Sequence, residues 1–231
     1  MNMVRQTPLC FTAQRLGARF VELAGWRFPE VFTTVEAEIG AARARCGLAD
    51  VTPHGKLLIE GDGADKLLHS AFGAGPEAIG SHVPIDVGGL YRLRRDQFYL
   101  STPPGRETEA QQRLALGIAE LNLFVTVTDV THGLADIRLI GPASREVLSK
   151  VCALDFQPQA FPDRTAKQSG LARTRQLIIR RDFGDLPAYS IIGARSLGAY
   201  VWDVIFEAGR EFRIVPIGVA ALRELEGVLR T

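Results

Sequence analysis

Two stretches of this chain read as copies of one another, and that self-match constrains the fold more than any local propensity. Asp50 Val51 Thr52 Pro53 His54 Gly55 leads to Ile59 Glu60 Gly61, and Asp129 Val130 Thr131 His132 Gly133 leads to Leu139 Ile140 Gly141. Each corner glycine opens a helical pattern. Gly61 Asp62 Gly63 Ala64 runs on to Leu67 and Leu68, while Gly141 Pro142 Ala143 Ser144 runs on to Val147 and Leu148. The shared unit is a turn, a strand, a tight corner and a helix, so two related lobes are expected, with the cleft between them as the natural ligand site.

At 231 residues and 46% hydrophobic composition, the chain can bury a core without disulfide or metal staples. Its 27 basic and 26 acidic residues leave a formal charge of +1, which gives no global field to attract nucleic acid or an anionic membrane. Cys10, Cys46 and Cys152 are odd in number, far apart and outside any ligand-like spacing, so no metal is expected and all three read as packing residues in a reducing compartment. No segment reaches the roughly 18 consecutive apolar residues of a membrane helix. A cytoplasmic protein with neither nucleic-acid nor membrane partners is the expectation.

Periodicity predicts helices over 36–46, 64–71, 107–121, 196–208 and 219–229, with Gly47 as a left-handed C-cap of the first and Asp62 as the N-cap of the second. It predicts strands over 56–60, 90–94, 97–101, 124–128, 174–180, 189–192 and 212–215, with Arg95 Asp96 as a hairpin turn and a Gly- and Pro-rich loop over 73–89. Strands interleaved with helices make the fold class α+β, two related lobes of mixed sheets and helices.

The first fifty residues carry a family signature: Thr7 Pro8 Leu9, Leu16 Gly17 Ala18 Arg19 Phe20 Val21 Glu22, Ala24 Gly25 Trp26, Phe28 Pro29, then Ala42 Arg43 and Gly47 Leu48 Ala49 Asp50 Val51. This order resembles the glycine-cleavage T-protein (aminomethyltransferase) family of tetrahydrofolate-dependent enzymes. The resemblance continues through Gly61, Ala64, Gly141 Pro142, Val147 Leu148, Pro216, Gly218 and Ala221. From about Asp129 to Ala208 the chain is still more similar to the gamma subunit of heterotetrameric sarcosine oxidase, on Asp155 Phe156, Phe161 Pro162, Thr165, Ala194 Arg195 Ser196 Leu197 and Tyr200 Val201 Trp202. The resemblance implies the folate-binding-domain fold without the C-terminal barrel of the longer family members. It also implies one lobe from residues 1–53 with 130–231 and another from 54–129.

A pterin ring offers adjacent N–H donors, which an acceptor-only carboxylate meets best, and one-carbon transfer wants a second carboxylate near the reacting amine. The resemblance implies a catalytic Asp shortly after a Gly Gly pair, but Gly88 Gly89 passes directly to Leu90 Tyr91 Arg92. The implied pterin-binding Glu falls on Ser190 after Tyr189, with Asp185 in the preceding turn. The implied Arg falls at Leu222 with Arg223 beside it, and the implied Asn meets Thr102 and Pro103. The candidate cofactor-binding set is therefore His54, Asp86, Tyr91, Thr102, Asp185, Tyr189, Ser190 and Arg223, with no catalytic residue assigned. Tetrahydrofolate is the one cofactor implied; no flavin belongs to this chain.

Blander readings stand beside these. His54 and His132 occupy matching turns, where a metal or a simple turn role are the alternatives. Asp86 either moves into the vacated acid position or stays a solvated loop residue. Arg92, Arg94 and Arg95 with Arg180 and Arg181 form either a basic patch or a solvated sheet face, and Tyr91, Tyr189 and Trp202 either stack on a ring or pack in the core. Gly61 Asp62 Gly63 lacks the third glycine of a nucleotide loop, and Lys150 Val151 Cys152 Ala153 lacks the Lys Gly Cys Tyr loop of iron–sulfur-assembly relatives. Two functions remain: a sarcosine oxidase gamma-like subunit with a degenerate folate site, assembling with flavoprotein amine-oxidising partners, or a stand-alone tetrahydrofolate-dependent aminomethyl or methyl transferase rebuilt around Asp86, Asp185 and Arg223.

Overall fold

The computed structural model describes residues 4–227. In chain order the elements are β1 (Arg5–Gln6), α1 (Cys10–Arg15), β2 (Arg19–Leu23), β3 (Trp26–Val31), α2 (Val35–Ala44), β4 (Gly47–Asp50), β5 (Gly55–Glu60), α3 (Ala64–Phe72), β6 (His82–Ile85), β7 (Gly88–Arg94) and β8 (Gln97–Thr102). Then follow α4 (Glu107–Leu121), β9 (Thr126–Asp129), β10 (Leu134–Ile140), α5 (Ser144–Val151), β11 (Thr165–Leu171), β12 (Thr174–Arg180), β13 (Ala188–Ala194), α6 (Gly198–Ala208), β14 (Val215–Pro216) and α7 (Val219–Leu225). The described residues divide into two compact units, the first made of residues 4–52, 134–163 and 168–227 and the second of 53–133 and 164–167.

The first unit is built on a six-stranded sheet in the order β11-β12-β13-β10-β4-β14, with a small sheet β1-β3-β2 beside it. Alternation sends Leu48, Leu139, Tyr189 and Ile191 to one face, where Val147 and Leu148 of α5 and Val201, Trp202 and Ile205 of α6 complete a core. The opposite face packs Ala49, Ile140 and Ala188 against Ala42 of α2 and Ala221, Leu222 and Leu225 of α7. The second unit is a five-stranded antiparallel sheet, β6-β7-β8-β5-β9. Leu57, Ile59, Leu90, Phe98 and Leu100 meet Leu67 and Leu68 of α3 and Ala110 and Leu114 of α4 on one of its faces.

The repeat reappears as matching hydrogen bonds. Asp50 accepts the Thr52 N–H at 3.0 Å and Asp129 accepts the Thr131 N–H at 2.9 Å. Thr52 Oγ1 accepts the Asp136 N–H at 3.2 Å, and Thr131 Oγ1 accepts the Lys56 N–H at 2.9 Å. Val51 and Val130 donate to the carbonyls of Asp136 and Lys56 at 3.0 and 2.9 Å. The Asp-Val-Thr triplet is thus a turn device used twice, in which the short polar side chains take backbone N–H groups that no strand partner reaches. It also exchanges strands: β4 pairs with β10 in the first unit and β5 pairs with β9 in the second, so each copy gives one strand to each sheet.

Corner glycines follow from sterics. Gly61 sits at φ 139° and Gly141 at φ 118°, and a Cβ at Gly141 would lie 2.3 Å from the Ala42 carbonyl oxygen. Gly47 plays a different part, beginning β4 instead of capping α2, and an added Cβ there would meet Ile217 at 2.8 Å. The α3 N-cap is Gly63, not Asp62. Residues 73–89 are not all loop, because β6 runs through them, and the 212–215 strand shrinks to Val215–Pro216 after a 3-10 turn over Arg210–Phe212. Phe124 precedes its strand, which starts at Thr126. The expected last helix ends at Leu225, and residues 228 and 229 lie outside the described residues.

Candidate functional site

In the second unit, the sheet face opposite α3 and α4 carries a row of rings. His82 pairs in register with Tyr91, and Tyr91 with Tyr99. Their centroids lie 4.6 and 6.3 Å apart. Tyr91 and Tyr99 are buried although neither belongs to the apolar core on the other face. Gly89 floors the row, since a Cβ there would stand 2.6 Å from His82 Nε2. Lys56 shares this face by alternation with Leu57; it is fully buried and donates from Nζ to the His54 carbonyl at 2.7 Å. The His54 carbonyl thereby ties Lys56 to the turn. Thr102, at the end of β8, is buried, donates to the Pro103 carbonyl at 3.0 Å, and backs onto Gly55, where a Cβ would fall 2.3 Å from its Oγ1.

Asp86 lies outside that row. It sits in the turn between β6 and β7, accepts from Arg113 Nη1 at 2.6 Å, and its carbonyl accepts from Arg106 at 2.9 Å. Glu109 joins both arginines, at 2.6 and 2.5 Å. The Arg113 hydrogen bond holds the Asp86 carboxyl below the usual carboxylate range. Arg92, expected on a solvated face, is instead anchored: its guanidinium holds Asp65 at 2.7 and 3.1 Å and the carbonyls of Pro76, Glu77 and Arg95.

In the first unit, successive residues of β13 face opposite ways, so Tyr189 and Ser190 do not share a site. Tyr189 is in the core, edge-on to Phe156 at 5.6 Å and Phe161 at 5.9 Å. Burial pushes its phenol up in pKa against the pull of the Arg180 and Arg145 guanidiniums. Phe156 and Phe161, two of the gamma-like residues, therefore form an aromatic box under the turn after β12. Arg180 fixes that turn, donating to Asp182 at 3.0 and 2.6 Å and to the Phe161 carbonyl at 2.6 Å. Asp182 is the engaged acid of the turn, while Asp185 is exposed. Arg180 and Arg92 are each held by a carboxylate of their own unit, which is the reason they are no free basic patch.

Ser190 points to the α7 side, where its Oγ accepts from Arg138 Nε at 3.1 Å. Arg138 is buried, lies 5.6 Å from the Phe183 ring centroid and pairs through Nη1 with Glu226. Leu222 packs in the core beneath, while Arg223, one residue on and about 100° around the helix, is exposed. Neither Arg138 nor Glu226 belongs to the set expected from the sequence. The signal was present: Arg138 and Asp136 stand at inward positions among the apolar residues of Leu134 to Ile140, and a charge there demands a partner. Lys56 carries the same signal ahead of Leu57, Leu58 and Ile59. Among the described residues no group of three or more His, Cys, Asp or Glu is placed to hold a metal ion, and no helix is long and apolar enough to cross a membrane.

The chain is 26% identical over 232 residues to an aminomethyltransferase of Halothermothrix orenii, covering 94% of this chain and 63% of that protein. It is 29% identical over 253 residues to the sarcosine oxidase subunit alpha of Corynebacterium sp. strain P-1, covering 97% of this chain and 26% of that protein. It thus spans less than two thirds of either relative. Among solved structures, glycine cleavage system aminomethyltransferase T from Bartonella henselae superposes with TM-score 0.82 at 19% identity, over 99% of this chain and 64% of that one. A chain of heterotetrameric sarcosine oxidase from Corynebacterium sp. U-96 superposes with TM-score 0.69 at 21% identity, over 90% of this chain and 96% of that one. Both place the α+β architecture in the aminomethyltransferase fold. The sequence model of the GCVT N-terminal domain matches residues 9–78 and 85–228, and the chain belongs to the GCVT N-terminal domain family.

Proposed function

We propose that this chain is a sarcosine oxidase gamma-like subunit of one-carbon and N-methyl amine metabolism, working in the cytoplasm with flavoprotein amine-oxidising subunits and carrying a degenerate tetrahydrofolate site. One observation carries the reading. At Ser190, where the resemblance implies an acceptor-only carboxylate, a hydroxyl stands instead, and it already accepts from Arg138. The nearby carboxylate, Glu226, is taken by Arg138 as well. A pterin offers donors, and this face answers with a guanidinium donor, so the residues do not fit a bidentate pterin contact. Asp86, the other acid proposed for a rebuilt site, is committed to Arg113. The match to nearly the full length of one sarcosine oxidase chain supports the subunit reading.

The test has two arms. The tagged chain, purified from the cells that make it, is expected to bring down a flavoprotein with flavin absorbance; a chain recovered alone would overturn the subunit reading. Thermal denaturation with millimolar tetrahydrofolate is expected to show no shift, because a ligand at a hundred times its Kd would stabilise by about 2.7 kcal/mol.

The second reading is a stand-alone tetrahydrofolate-dependent aminomethyl or methyl transferase. The half-buried His82 ring at the end of the row favours it, since of the three rings it is the one a flat heterocycle can reach. A folate-dependent shift weakened by His82→Ala would put it first.

A further inference from the structure

We infer that the N-terminal module of the first unit, α1 together with the start of α6, is a docking surface for a partner protein that presents an apolar centre inside an acidic rim. The inference rests on the subunit reading above and gives that assembly its contact face.

Four large apolar side chains stay in solvent there. Phe11 is 69% exposed, Tyr200 46%, Leu16 38% and Leu197 37%. Leu197 and Tyr200 are three residues apart where a 3-10 turn enters α6, so they share a face, and Phe11 lies on the outer side of α1. The two helices are tied to each other. A Cβ on Gly198 would stand 3.0 Å from Pro8, and Leu9 is buried in the same core as Val201 and Trp202. The exposed side chains are thus carried by two helices that pack on one core.

The charge around these side chains has one dominant sign. The Arg15 guanidinium lies 5.9 Å from the Phe11 ring centroid. Arg195 donates to the Gln6 carbonyl, holding its charge beside Leu197, and Arg5, next to Gln6, covers the Trp26 ring at 5.7 Å. From residue 4 to residue 28 the chain holds Arg5, Arg15, Arg19 and Arg27 against the single acid Glu22, whereas the whole chain has a formal charge of only +1. Asp203, one turn beyond Tyr200, and Glu207, one turn further and paired with Arg210, are exposed acids of α6. Arginine and exposed aromatics without lysine are the composition of interface anchors, because both give large contact area at small entropic cost. A predominantly arginine rim selects a carboxylate-bearing rim opposite and speeds the encounter at low salt.

The experiment uses the full chain in the cells that make it, with a photo-crosslinking amino acid at Phe11, at Tyr200 or, as a control in the second unit, at Phe124, which is 99% exposed. Positions 11 and 200 are expected to cross-link to one and the same protein, through an acidic segment identified by mass spectrometry. Phe11→Asp with Arg15→Glu is expected to lower the co-purified partner at least tenfold while leaving circular dichroism and melting unchanged, since both side chains are exposed. Cross-links from position 124 alone, or from position 11 to a second copy of this chain, would overturn the docking surface while leaving the subunit reading in place. Full partner recovery by the double variant would do the same. Absence of any complex with the wild-type chain would overturn both.

Discussion

The two sheets are supplied by the same repeat, yet they treat matching positions oppositely. Counted back from the corner glycines, Arg138 of β10 corresponds to Leu58 of β5, and Asp136 to Lys56. In the first unit the face carrying Arg138 is covered by α7 and closed with a part-buried ion pair to Glu226 and a hydrogen bond to Ser190. In the second unit the corresponding face carries His82, Tyr91, Tyr99 and Lys56, and the two helices of that unit lie on the other side. The turn chemistry of the repeat fixes the backbone, and the inward residues along each strand remain free to diverge. One copy became a self-satisfied polar seam and the other an aromatic face.

The largest test of the shared backbone is at the corners. Gly141→Ala is expected to cost about 3–5 kcal/mol by urea denaturation, because the added Cβ meets the carbonyl oxygens of Ala42 and Arg45 at 2.3 and 2.6 Å on an unfavourable φ. Gly61→Ala meets the Phe124 carbonyl oxygen at 2.6 Å and the Val125 Cα at 3.1 Å and should cost about 2–4 kcal/mol, so a tolerated alanine at either corner would break the claim that both copies use one turn. Next comes the seam of the first unit. Arg138→Met leaves the part-buried Glu226 without its partner and should lose about 1–2 kcal/mol, and adding Glu226→Gln should recover a good part of that. Equal losses for the single and double variants would show that the ion pair is not what matters there.

In the second unit Arg92→Lys keeps the charge but loses the forked grip on Asp65 and the carbonyls of Pro76, Glu77 and Arg95. A loss of about 1–2 kcal/mol is expected, with faster amide exchange over residues 73–80 and no change in the first unit. The smallest effects are pH effects. With its carboxyl held low by Arg113, Asp86 contributes its pairing above the ordinary carboxylate range and loses it as pH falls through the depressed midpoint, which NMR titration would locate and Arg113→Ala would raise. In the first unit burial pushes the Cys46 thiol up to about 11. The unfolded chain therefore releases that proton first and stability declines as pH rises from the ordinary thiol value of 9.0 toward 11; at pH 8 the native thiol should resist thiol reagents.

Much of this was legible in the sequence, and unevenly so. The α4 helix and the β12 strand follow the expected bounds because their periodicity is long and their ends carry strong stop signals, Gly105 before α4 and Asp182 after β12. The N-terminal hairpin, β6 and β11 carry no comparable signal, since they mix polar and apolar residues without alternation and take their form by pairing with the next strand in the chain, β2 with β3, β6 with β7 and β11 with β12. For the candidate site, position in the sequence singled out Ser190 and Asp86 but not their partners. Arg138 is 52 residues from Ser190 and Arg113 is 27 from Asp86, and no local rule joins residues so far apart.

By itself the sequence determined the repeat, because the turn residues Asp50, Thr52, Asp129 and Thr131 and the corner glycines act on backbone within a few residues of themselves. It also determined which side chains are apolar enough to form cores. Only the tertiary structure decided that the copies exchange strands between two sheets, that Tyr189 and Ser190 face opposite ways, and that Arg138, Arg92 and Asp86 are already committed. The physical reason is range. Turn chemistry and hydrophobic alternation are local, whereas a buried charge is settled by whichever opposite charge or carbonyl the packed fold brings within about 3 Å.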